Sequence, residues 1–266
     1  LIDDKLDISA VSRLCVIATI SVWLVEVEGI SLNYLGNIFN NGDVYLNSLS
    51  LLFTSIAVIG CITAFNMVDG IDGLLGVLAS VSIGSLGLLF WMSGHTQVSQ
   101  FCFLFITAML PYVCFNLGLR MKSKYKVFMG DSGSTMLGAL VFCAALFFWQ
   151  RELVHWAAVC ILPAVFVADA SYTLARRLLS GQQWYSAHRS HSYQILARRW
   201  SSHSYVVYAM TLVNVLWLLP LAWLANNATV HPVLLLGAAY LPLLVIAVGL
   251  GAGRPERHWV TPEIGE

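Results

Sequence analysis

Long apolar stretches without charge alternate along this chain with short clusters of charged and polar residues. A helix needs about 20 mostly apolar residues to cross a bilayer. Ile8 to Val25 predicts a first crossing, interrupted only by Arg13, whose long side chain can reach the interface. Residues 44–68 carry no charge and predict a second, ending near Phe65. Residues 73–119 are also charge-free; at 47 residues they suit two helices, with Ser93-Gly94-His95-Thr96-Gln97 as the turn. Residues 132–150 predict a fifth crossing, and Leu153 to Ala175 a sixth, interrupted by Asp169. Residues 200–253 run 54 without charge and divide at Asn226-Asn227-Ala228-Thr229 into a seventh and eighth. The pattern predicts an all-α, polytopic integral membrane protein of about eight transmembrane helices, a single membrane domain over 1–266.

Composition sharpens this. The chain is 58% hydrophobic and 11% charged, against about 25% charged in soluble domains. Net charge is zero, which argues against a basic face for nucleic acid. The six cysteines, Cys15, Cys61, Cys102, Cys114, Cys143 and Cys160, sit in apolar runs without a CxxC pair and read as small hydrophobes. No cleavable signal peptide is evident at the start. Twelve of the fourteen Lys and Arg fall on the side holding residues 1–7, 66–74, 118–133, 176–204 and the tail after 252. Positive loops face the cytoplasm, so that side is expected to be cytoplasmic.

Acids gather on the same side. Asp3, Asp4 and Asp7 precede the first crossing, Asp69 and Asp72 follow the second, Asp131 precedes the fifth, and Asp169 lies near the inner end of the sixth. Clustered carboxylates repel unless a cation or proton relieves them. Mg²⁺ is the expected relief, because it takes hard oxygen ligands and shares them with phosphates; Mn²⁺ is its substitute. Plainer readings stand beside this one. Asp131 or Asp72 would serve equally as helix N-caps. Asp69 and Asp72 share a face on a helix, whereas Gly70 and Gly73 favour a turn. Asp3-Asp4 reads also as a solvated flank, and Asp169 as the partner of Arg176 or Arg177.

The longest inner loop, 176–204, contains Ala187-His188-Arg189-Ser190-His191. His188, Arg189 and His191 suit phosphate oxygens, Arg giving bidentate contacts, while an ordinary positive-inside loop accounts for the same charges. A zinc site is disfavoured, for want of a nearby Cys.

Three segments in order then become informative: Leu1-Ile2-Asp3-Asp4-Lys5-Leu6-Asp7, Asn66-Met67-Val68-Asp69-Gly70-Ile71-Asp72-Gly73, and Phe128-Met129-Gly130-Asp131-Ser132-Gly133-Ser134. Together they resemble the polyprenyl-phosphate N-acetylhexosamine-1-phosphate transferases of glycosyltransferase family 4, over most of the chain to about residue 205. The last two crossings match in hydropathy alone. The resemblance implies transfer of a sugar 1-phosphate from a UDP-N-acetylhexosamine to undecaprenyl phosphate, with Mg²⁺, releasing UMP at the start of O-antigen or a related envelope polysaccharide. Asp3 and Asp4 match the aspartate pair that handles the lipid phosphate. Asn66, Asp69 and Asp72 match the motif tied to the nucleotide sugar and catalysis. Asp131 matches the metal-binding aspartate, with Asp72 as a candidate second ligand, and His188 to His191 occupy the place of the histidine loop.

The family adds further expectations. Its members carry about three crossings before the aspartate pair, and this chain opens on Leu1 without Met, so the expectation is a piece of a longer protein. The catalytic loops are expected at 1–9, 66–74, 118–133 and 176–204, facing the cytoplasm of a bacterial inner membrane. GlcNAc is the favoured sugar. The loop lacks the adjacent histidines of GlcNAc enzymes, which keeps UDP-FucNAc or UDP-QuiNAc as the alternative donor. A homodimer is left open. The rival from another class is an ion-coupled transporter, whose acids should sit at the bilayer midplane.

Overall fold

The computed structural model describes residues 10–36, 38, 42, 44–117, 127–183 and 188–255. Its helices are α1 (Ala10–Glu26), α2 (Ser50–Val68), α3 (Leu74–Met92), α4 (Thr96–Asn116), α5 (Gly130–Gln150) and α6 (Trp156–Ile161). There follow α7 (Ala164–Leu179), α8 (Ser192–Trp200), α9 (His203–Val213), α10 (Leu219–Asn226) and α11 (Pro232–Leu250). No strand occurs among the described residues beyond an isolated bridge between Tyr34 and Tyr45.

The chain is therefore an all-α membrane protein, but the eight expected crossings are not alike. Among the described residues six helical stretches are long and apolar enough to span a bilayer: Asn47–Val68, α3, α4, α5, His203–Asn226 and α11. The first expected crossing is shorter, with its apolar part at Cys15–Glu26. The sixth is broken at Pro163, between the end of α6 and the start of α7. Proline has no N–H to continue the helical ladder, so the chain restarts there, Phe166 N donating to the Pro163 carbonyl at 2.9 Å. His203–Asn226 is continuous but widens into a π turn at Asn214–Leu218, just before Pro220. The expected turns at Ser93 to Gln97 and Asn226 to Thr229 lie where the polar residues placed them.

Cross-links at both ends sort the loops into two sets. At one end Gln150 Nε2 donates to Ser31 O at 2.7 Å, and Asn226 reaches both His155 N and Ser93 Oγ. At the other end Ser134 meets Asn66, Asn116 meets Gly73, His203 meets Asp72 and Tyr193 meets Met67. This second end carries every described acid of the three motifs.

α3 is the central helix, with 67% of its span buried, against 11% for α4 on the periphery. The exposed faces of α4 and α11 carry Phe101, Leu104, Leu234 and Val245, as lipid contact requires. α2 packs closely on α5, where a Cβ at Gly138 would come within 2.8 Å of Phe65 Cβ and 3.2 Å of the Ile62 Cα. Small residues let membrane helices approach in this way. Gly138→Val is expected to force the two apart at a cost of about 1–3 kcal/mol, read as a lower melting temperature in detergent. An unchanged melting temperature would show that the contact is slack.

Candidate active site

The turn joining α2 to α3 forms the centre of the site. α2 stops at Val68, Asp69 takes its C-cap, and Gly73, at φ +81°, begins α3. Only glycine adopts that conformation without strain, and a Cβ there would also strike Leu117. Asp69 and Asp72 therefore lie on a turn rather than on one helix face. Asn116, at the end of α4, accepts from Gly73 N and donates to Val127 O at 2.7 Å. One buried amide thus fixes the turn to the segment leading into α5. Asn116→Ala leaves that buried N–H and carbonyl unpaired, at about 1–3 kcal/mol, with both aspartate segments loosened. The check is a lower melting temperature together with lower turnover; normal values for both would remove Asn116 from the site's framework.

Asp131 stands in the first turn of α5, whose N-cap is Met129, so neither Asp131 nor Asp72 is a helix cap. Its carboxylate lies at the positive end of the helix dipole. Ser134 donates to Asn66 Oδ1 at 2.9 Å and to Asp131 O at 3.1 Å, joining the second and third motifs. Burial, and then the charge of Asp131, push the Asp69 carboxyl up from 3.8 to about 6. Asp72 faces His203 Nδ1 at 3.3 Å.

The histidine loop closes over this turn. A Cβ on Gly70 would come within 2.6 Å of the Tyr193 hydroxyl and 2.9 Å of Gln194 Nε2. Tyr193 donates to Met67 O. Burial, with Asp169 and Asp69 nearby, raises the Tyr193 phenol well above its ordinary value, so it remains a donor. Asp169 does not pair with Arg176 or Arg177. Its Oδ2 meets His191 Nδ1 at 2.9 Å, and its Oδ1 accepts from Ser192 N at 2.7 Å, at the start of α8. Arg176 turns to Tyr172 and Ala252 O, and Arg177 to Gln182 and Gln183 O. His188 stacks on His191 at 4.9 Å, and Arg189 is exposed beside it.

Among the described residues no three His, Cys, Asp or Glu side chains form a complete metal cage. Asp69 and Asp131 nonetheless repel each other and offer the hard oxygen donors that Mg²⁺ takes. Mg²⁺ normally uses one or two carboxylates, with water and phosphate filling the rest. The donor set therefore fits that ion.

A family model described as glycosyl transferase family 4 matches residues 1–148. The chain belongs to that family. Among curated relatives, an undecaprenyl-phosphate alpha-N-acetylglucosaminyl 1-phosphate transferase of Salmonella typhimurium is 39% identical over 198 residues, 74% of this chain and 54% of that protein. The proteins of the same name from Escherichia coli K12 and Haemophilus influenzae are 35% and 32% identical, each over 74% of this chain. The chain spans about half the length of the curated relatives it matches.

In this family 4 chain the structure gathers Asn66, Asp69, Asp72 and Asp131 at one end of the helices, with the loop of His188, Arg189 and His191 packed against them. Asp3 and Asp4 lie outside the described residues. The described acids of the motifs, Asp69, Asp72 and Asp131, sit at helix ends and not midway along crossings, which does not support the reading as an ion-coupled transporter. Sequence reasoning missed Asn116 and Tyr193, and the plainer alternative it offered for Asp169, a pair with Arg176 or Arg177, is not the one the structure shows. A buried Asn at a helix end and a Tyr directly after the histidine loop were the available signals.

Proposed function

We propose that the protein transfers an N-acetylhexosamine 1-phosphate from a UDP-sugar to undecaprenyl phosphate, releasing UMP. The carrying observation is the grouping of Asp69, Asp72 and Asp131 around one glycine turn at a single end of the membrane helices. A lipid phosphate can be presented only at such an interface. The names of the relatives favour GlcNAc, and the spacing of His188 and His191 keeps FucNAc or QuiNAc as a second candidate.

In the reaction an oxygen of the lipid phosphate bonds to the sugar-bearing phosphorus, and the P–O bond to UMP breaks. Attack of anion on anion makes the barrier largely electrostatic and positional. Mg²⁺, held by Asp131 with Asp69 or Asp72, would neutralise pyrophosphate charge when bound. Asp3 or Asp4 would orient the lipid phosphate; its last pKa is near 6, so little base catalysis is needed. Asn66 lies beside the pyrophosphate in this reading, and the loop from His188 to His191 grips donor oxygens. An apolar cleft of 340 Å³ between α2, α5, the break at Pro163 and α11, lined by Phe65, Phe142 and Tyr240, suits the start of the prenyl chain. The acid end faces the cytoplasm, in keeping with its lysines and arginines.

The test is UMP release by membranes carrying the full-length gene product, with undecaprenyl phosphate, Mg²⁺ and a panel of UDP-N-acetylhexosamines. Lipid-dependent UMP is expected, and the fastest sugar identifies the donor. Folded protein that yields no UMP with any sugar would overturn the reading.

A further inference from the structure

We propose that His203 is a positioning residue for the transfer, holding the Asp72 carboxylate in the orientation that meets the UDP-sugar. This rests on the transferase reading above. His203 lies outside the three motifs and outside the stretch from His188 to His191, and nothing in its sequence surroundings sets it apart. Its place in the fold does. Its Nδ1 is 3.3 Å from Asp72 Oδ2, across 131 positions of chain. An ionised carboxylate only accepts, so this nitrogen carries the proton and donates. The Asp72 side chain keeps 21% of its surface open, and the His203 side chain 50%. A substrate group can therefore reach the carboxylate while the histidine holds it.

A rigid corner delivers the ring. α8 gives way to Ser201, whose φ of +48° turns the chain. Ser202 then caps α9: its N–H donates to Ala197 O at 3.2 Å, and its hydroxyl accepts from Tyr205 N at 3.3 Å. His203 is the first residue of α9. Val206 and Val207, three and four places on and so on the same face, are buried, and α9 packs on α3. That face brings the ring to the start of α3, just beyond Asp72. Asn116 and Tyr193 hold the backbone of the acidic turn, at Gly73 N and Met67 O. His203 acts on a side chain there instead. α8 is thus tied to the acidic turn at both ends, through Tyr193 in its first turn and through His203 just past its last.

His203→Ala, His203→Asn and His203→Gln in the full-length gene product test this, with kcat and KM for both substrates measured beside the melting temperature. His203→Ala should lower kcat/KM for the UDP-sugar about 10-fold, less than the 100-fold or so that 1 Å of misplacement costs, because the pair is partly open to water. KM for undecaprenyl phosphate should not change. The melting temperature should stay within about 2 °C, since the ring is exposed and Ser202 still caps the helix. The amide nitrogen of His203→Asn stands where Nδ1 was and can donate to Asp72, so it should recover most of the loss. His203→Gln places its amide where Nε2 was and should remain as slow as the alanine variant. Gln outperforming Asn would make His203 a substrate contact. Equal losses in all three variants, or in none, would show that the bond to Asp72 carries no function, and a loss confined to the lipid phosphate would place it on the acceptor. Each of these overturns the proposal. Where His203→Ala does not fold, the comparison of Asn with Gln decides alone; failure of all three to fold would make the residue structural and overturn the proposal as well. No UMP from the unmodified protein would instead overturn the transferase reading itself.

Discussion

Asp131→Asn is expected to lower lipid-dependent UMP release between about 10²- and 10³-fold while leaving the protein folded. The substitution keeps the shape of the side chain and removes its charge. The local fold does not depend on that charge. The turn at Gly130, at φ +70°, and the bond from Ser134 to the Asp131 backbone carbonyl both survive it. What is lost is one of the two carboxylates that repel each other at the proposed cation site. The same change should have an effect at a distance. Without the Asp131 charge, the Asp69 carboxyl drops towards its ordinary range, so any residual activity should persist to lower pH. Turnover measured beside the melting temperature separates the two effects. More than a tenth of normal activity in folded Asp131→Asn would take this residue out of the chemistry.

The second large effect concerns pH. Asp69 titrates at about 6 in the folded protein, against 3.8 for the free group. Its anion is the useful form for holding a cation or directing a proton, so activity at limiting Mg²⁺ should fall about tenfold per pH unit below that value. Saturating Mg²⁺ should move this limb to lower pH, because the cation favours the anion. The effect on stability has the opposite sign. The raised value means the folded state holds its proton more tightly, so this stabilisation is complete below about 3.8 and is lost as pH rises through about 6. Added Mg²⁺ should recover stability on the alkaline side. Activity and melting profiles at two Mg²⁺ concentrations test both halves. A limb that stays fixed when Mg²⁺ is raised, or that survives in Asp69→Asn, would assign it to another group.

The sequence made the crossings legible because hydropathy and chain length dictate them. A charge-free run of 47 residues admits little but two helices, and Ser93 to Gln97 offered the evident turn. The acidic turn was legible for a related reason, since Gly70 and Gly73 announce close backbone approach. What stayed hidden is what distant residues do to each other. Asn116 lies 43 positions from Gly73, and Tyr193 lies 126 from Met67. No local pattern encodes such partners. Asp169 shows the error that follows: Arg176 and Arg177 were near in sequence and opposite in charge, yet the carboxylate serves the start of α8, 23 residues on. The break at Pro163 falls inside an apolar run, where hydropathy alone draws one continuous crossing.

The end of α11 is stitched to the histidine loop. Gly253 N donates to Ser190 O at 2.9 Å, Gln182 reaches Gly253 O, and Arg176 reaches Ala252 O. Arg254, one residue further, is exposed. A fluorophore at that position would ride on the loop without altering any residue proposed to touch substrate. Donor binding could then be followed as an optical signal, in real time, separately from turnover.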